Sequence, residues 1–121
     1  MKHRIDGFTL LEVLIALAIL AVLMMSLLKI AAANARNLWY LENKTLAATV
    51  AANHAAELRL QTQRPETADG WDEMAGRLWH WRVGRDALAP LQGVQRYRID
   101  VFLQDDPSPY AGLALDLALT P

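Results

Sequence analysis

Glu12 is the side chain whose chemistry needs the most explanation. It lies inside an apolar run from Phe8 to Leu28, 21 residues in which only Thr9, Glu12 and Ser26 are polar. A helix rising about 1.5 Å per residue would make that run roughly 31 Å long, enough to cross the hydrocarbon core of a bilayer. A carboxylate in such a span costs on the order of 2.5–3.5 kcal/mol on insertion scales. A chain that keeps one there has a use for it.

The other candidates for chemistry are weaker. His54 and Glu57 stand at i and i+3, a spacing that suits a metal, but two ligands do not make a site. A solvated or packing pair explains them. Asp105-Asp106 lacks the surrounding oxygen array that calcium requires, and turn chemistry accounts for it. The three histidines, His3, His54 and His80, belong to no Gly-x-Ser-x-Gly, His-Glu-x-x-His or phosphate-loop motif. The absence of cysteine excludes disulfides, thiolate metal sites and a cysteine nucleophile. An anchored enzyme is therefore disfavoured, with no catalytic residue, metal or cofactor expected. A net charge of -1 gives no basic face for nucleic acid.

The element that must hold Glu12 is a membrane helix. Lys2 and Arg4, partly offset by Asp6, precede the apolar run, and Lys29 follows it. The positive-inside tendency leaves the N-terminus in the cytoplasm and sends the rest across. A secretory signal peptide with a cleavage-like Ala33-Asn34-Ala35 is one reading, but its apolar region would be about 7–15 residues and free of carboxylates. A plain signal anchor is another. Neither explains the glycine, the aromatic and the glutamate together.

Gly7-Phe8-Thr9-Leu10-Leu11-Glu12, followed by Val13 to Leu20, resembles the type IV prepilin signature shared by type IV pilins and type II secretion pseudopilins. The resemblance implies cleavage between Gly7 and Phe8 by a membrane prepilin peptidase, N-methylation of Phe8, and a leader of residues 1–7. Asp6 departs from the neutral or basic residue more usual in such leaders. The chemistry is coherent. Glycine lets the chain lie extended in a protease site. After cleavage Glu12 would sit in the first helical turn, where the dipole favours a carboxylate. The cationic amine of Phe8 in a neighbouring subunit could neutralise it, and either charge alone in lipid is costly.

No proline or glycine occurs from Phe8 to Arg64, so one helix is predicted from Phe8 to about Gln63, ended by Pro65. Leu38, Leu41, Thr45, Ala48, Ala52, Ala55 and Leu58 form a stripe that would face a sheet or a neighbouring helix. Arg59 and Arg64 read as a solvated helix end. The segment from Thr45 to Leu60, with its Thr-x-Ala, Val-Ala-x-Asn and Ala-Glu-Leu-Arg pattern, resembles the I-class minor pseudopilins of type II secretion.

Pro65 to Gly76 reads as a loop. Trp79, Trp81 and Val83 alternate with His80 and Arg82 as a half-buried strand, with cation–π contact to a tryptophan in reach of an arginine. Arg85 to Gly93 reads as a second loop. A strand follows from Val94 to Gln104, with Tyr97, Ile99, Val101 and Leu103 on one face. Asp105 to Pro109 is a turn, and Leu113, Leu115, Leu117 and Leu119 alternate as a last strand. The expected architecture is α+β: a long N-terminal helix, membrane-spanning in its first half, packed on a small antiparallel sheet. The segments are a leader (1–7), a transmembrane helix (8–28), its periplasmic continuation (29–64) and a periplasmic β-rich part (65–121).

The resemblance implies a structural subunit at the type II pseudopilus tip, anchored in the bacterial inner membrane. Its partners would be minor pseudopilins of the J and K classes and the major pseudopilin, with the prepilin peptidase as processing enzyme. A minor pilin of a type IV pilus or DNA-uptake system would share the same N-terminus and is the alternative.

Overall fold

The computed structural model describes Gly7, residues 9–87 and residues 93–119. One helix, α1 (Leu10–Leu60), precedes four strands: β1 (Thr67–Met74), β2 (Arg77–Arg85), β3 (Val94–Leu103) and β4 (Ala111–Ala118). The strands form one sheet in the order β1-β2-β3-β4, every pair antiparallel. The chain divides into two compact units, one ending at Trp39 and one beginning at Tyr40.

The helix begins and ends inside the expected limits, and Phe8 lies outside the described residues. At its C-terminus the Gln61 amide still donates to the Glu57 carbonyl (3.2 Å). Arg64 then turns back: its Nε donates to the Leu58 carbonyl at 3.1 Å and its Nη1 to the Ala118 carbonyl at 2.9 Å. One of the carbonyls that every helix end leaves unpaired is thereby satisfied, and the helix is tied to β4. Arg64 is a tether, not the solvated residue its position suggested.

The second unit packs the C-terminal part of α1 on the sheet. Ala47, Val50, Ala51, Ala55 and Leu58 meet Trp79, Val83, Tyr97, Ile99, Val101, Leu115 and Leu117 in one buried cluster. Trp79 is fully buried, as a core tryptophan should be. The helix face differs from the expected stripe. Of its seven residues only Ala55 and Leu58 are buried, while Leu38, Leu41, Thr45, Ala48 and Ala52 are exposed. The sheet-facing positions include Asn43 and His54, polar residues that an apolar-periodicity argument passes over.

The predicted loop 65–76 is instead mostly β1. Its composition, Thr-Ala-Asp-Gly-Trp-Asp-Glu-Met, hides an alternation in which Ala68, Gly70, Asp72 and Met74 are half-buried and Trp71 is exposed. Gly70 is required for a spatial reason: a Cβ there would meet Trp81 Cζ2 at 2.6 Å. The β1–β2 hairpin turns on Ala75 (φ 54°) and Gly76 (φ 70°). Positive φ at both positions is the twist that two-residue hairpins prefer. Arg85, expected in a loop, closes β2: its amide donates to the Glu66 carbonyl at 2.9 Å. Residues 88–92 of that loop lie outside the described residues. β3 stops at Leu103, one residue early, because Gln104 takes a positive φ of 47°. Leu119, the last of the alternating leucines, lies just beyond β4 and is half exposed.

Across the outer face of the sheet, Arg96 makes a two-pronged bond to Asp116 (2.7 and 3.0 Å). That hydrogen bond and the paired charge hold the Asp116 carboxyl below its ordinary value and raise the Arg96 guanidinium.

Candidate functional site

Of the residues singled out for chemistry, Gly7 precedes α1, Glu12 lies in its first turn, and Phe8 lies outside the described residues. Nothing among the described residues lies within 4 Å of where a Cβ would stand at Gly7. Thr9 is the N-cap of the helix. Its Oγ1 accepts the Glu12 backbone N–H at 3.2 Å, and its carbonyl accepts the Val13 N–H at 3.2 Å. Thr-x-x-Glu is the sequence signature of a capping box, readable in residues 9–12 although sequence reasoning looked past it. The cap places Glu12 at the third helical position, where carboxylate and helix dipole attract.

Every described residue from Thr9 to Leu28 is exposed. Across an 18-residue window of the helix the mean hydropathy is 2.7. Within Leu10–Leu28, Glu12 is the one charged group. Glu12, Val13, Ala16, Leu17 and Leu20 share one open face of the helix, apolar but for the carboxylate. Ser26, the other polar residue of the segment, donates its hydroxyl to the Val22 carbonyl at 2.9 Å. That bond satisfies the hydroxyl within the helix.

In the second unit the structure gathers residues that sequence reasoning kept apart. His54 is nearly buried. Its Nε2 bonds Asp72 of β1, its Nδ1 lies 3.2 Å from Glu57, and its ring stacks on Trp81 at 4.0 Å. The His54–Glu57 pair is thus part of a packed joint between α1 and β1. The two carboxylates approach opposite nitrogens of the imidazole, so they share no common metal position. Asp72 escapes a reading by composition because its neighbours Asp69, Gly70 and Glu73 are turn-like residues. Asn43, fully buried, accepts a hydrogen bond from Arg77, which also reaches Glu42 at 3.4 Å. Asp106 accepts the Ser108 amide at 3.2 Å, the turn chemistry expected of it.

Comparison with known proteins follows the same division. The model of the type II secretion system protein I family matches residues 41–115, and the prokaryotic N-terminal methylation motif matches residues 2–28. The type II secretion system protein I of Pseudomonas aeruginosa is 46% identical over 88 residues, 71% of this chain and 68% of that protein. Its Escherichia coli counterpart is 47% identical over 104 residues, 83% of this chain and 82% of that protein. Among solved structures, a chain of the GspK-GspI-GspJ complex of the enterotoxigenic Escherichia coli type 2 secretion system superposes with a TM-score of 0.59. It is 32% identical, and the match covers 66% of this chain and 98% of that one. The matched segment includes the whole of β1 to β3 and most of β4, so the family likeness rests on the packed unit as well as on the N-terminal motif. Capped apolar helix, four-stranded meander and matched segments agree, and the chain belongs to the type II secretion system protein I family, the I-class minor pseudopilins.

Proposed function

We propose that the chain works as a structural subunit of the pseudopilus tip, with Glu12 as the group that makes docking obligatory. The observation that carries this reading is the isolation of Glu12: one carboxylate at the head of an otherwise apolar, fully exposed helical segment. In this account a prepilin peptidase cuts between Gly7 and Phe8, and the freed Phe8 amine is methylated. Residues 8–28 hold the chain in the inner membrane, and the part beyond lies in the periplasm. The partners are pseudopilins of the J and K classes, as in the complex from Escherichia coli, and the major pseudopilin below them. A cationic N-terminus from a neighbour neutralises Glu12. Unpaired, the carboxylate penalises the lone subunit; paired, it no longer does. Each contact is head-to-tail, so the assembly grows as an open helix.

Glu12→Ala tests this. The variant should enter the membrane as the natural chain does. Its co-extraction with J- and K-class partners should fall by about tenfold or more, the scale of losing one member of a desolvated charge pair. Undiminished recovery of the complex would sink the proposal. Intact mass of the membrane-extracted chain checks the processing: loss of residues 1–7 and gain of one methyl group.

A further inference from the structure

The outer face of the sheet carries a feature that assembly through α1 does not use. Trp71 of β1, His80 of β2 and Phe102 of β3 form a row of rings across three strands. Trp71 stacks on His80 at 4.6 Å, and His80 lies 6.1 Å from Phe102. Trp71 is 52% exposed. The Arg82 guanidinium sits over Phe102, 5.0 Å from the ring centre, rather than over the tryptophans of its own strand. These residues and the turn Gln104 to Pro107 line a cleft of about 320 Å³.

Beside the His80 ring, four polar side chains rim that cleft: Arg82, Gln104, Asp105 and Asp106. Asp106 accepts the Ser108 amide, whereas the side chains of Arg82, Gln104 and Asp105 have no hydrogen-bond or ion-pair partner among the described residues. By contrast Arg77, Arg85, Arg96 and Arg98 all face carboxylates. Gln104 is also held in left-handed backbone, its amide donating to the Leu78 carbonyl at 3.0 Å. Backbone outliers held this way concentrate at ligand sites.

We propose that this cleft binds a neutral saccharide. The rim offers a pure donor (Arg82), a donor and acceptor (Gln104) and pure acceptors (Asp105 and Asp106) around aromatic surface. A sugar ring matches both parts, with an apolar C–H face for the aromatic surface and hydroxyls that donate and accept. The rim carries one guanidinium and two carboxylates. A charged peptide of either sign is repelled by at least one of them, whereas a neutral polyol is repelled by none. The volume lies at the lower end of the ligand-pocket range of about 300–1,000 Å³. A protein partner would need about 800 Å² of this side.

The test uses the full chain in a zwitterionic detergent without sugar headgroups, and chitotetraose as the probe. Saturation-transfer NMR should show magnetisation passing from protein to probe. Trp71→Ala should abolish the transfer, and Asp105→Ala should weaken binding about tenfold. Far-UV circular dichroism of both variants should match the natural chain. No transfer to the natural chain, or equal transfer to the Trp71 variant, would overturn the proposal. Stronger binding of an acidic or basic nonapeptide at this cleft, lost in Trp71→Ala, would assign the face to a protein partner and overturn it equally. None of these outcomes depends on assembly through Glu12.

Discussion

Single residues decide how this small unit closes. Gly70 gives room to the Trp81 ring, which His54 stacks against. Gly70→Ala must displace that ring, and destabilisation of about 1–3 kcal/mol is expected, the usual scale of overpacking. A thermal melt of the variant would measure it, and an unchanged midpoint would contradict the packing described. Asp116 makes a pH prediction whose sign is fixed. Its carboxyl is held below its ordinary 3.8 by the hydrogen bond from Arg96. A depressed carboxylate contributes stability that is complete above the ordinary value and lost as pH falls through the lowered one. The pair is solvent-exposed, so the contribution is small. Asp116→Asn should therefore melt slightly below the natural chain at neutral pH, with the gap closing in strong acid. A gap that widens in acid would reverse the assignment.

At the scale of elements, hairpin geometry contains a correctable flaw. Ala75 occupies left-handed backbone at φ 54°, which costs a residue with a Cβ roughly 1–2 kcal/mol. Asparagine and glycine tolerate that conformation and are the residues two-residue hairpins favour. Ala75→Asn should raise the melting temperature, by a free energy of up to about 1 kcal/mol. A lowered midpoint would mean that the turn is not of this type. The same hairpin explains why β1 escaped a reading by composition. Asp69, Gly70, Asp72 and Glu73 are turn-like residues taken singly. Asp72 is tolerated facing α1 because His54 receives it, a partner 18 positions away in the chain. α1 was the reverse case: absence of breakers made the helix legible, while its rotation about its own axis was not.

For the whole molecule that rotation matters most. Leu41, Thr45, Ala48 and Ala52 lie roughly 130° round α1 from the sheet-facing residues at 100° per residue. They remain exposed once the sheet is packed. Spaced three and four apart and mostly small, they suit close approach of another helix. One helix face is buried in the chain's own fold, and this one is left open. Ala48→Arg should leave the melting temperature within the range of surface substitutions, about ±0.5 kcal/mol, yet reduce recovery of J- and K-class partners. A variant that still assembles fully would remove this face from the interface.

The chain's local chemistry was sufficient for the long helix, the charged residue at its head, the alternating strands β2 to β4 and the family likeness. Each of these depends on neighbours within about one turn or one strand, where periodicity and capping act. Tertiary structure alone decided which helix face meets the sheet, that β1 is a strand, and that His54, Asp72 and Trp81 form one joint. Those outcomes depend on side chains brought together across long loops of sequence. There a polar residue is buried only because a distant partner satisfies it, and no local pattern announces the pairing.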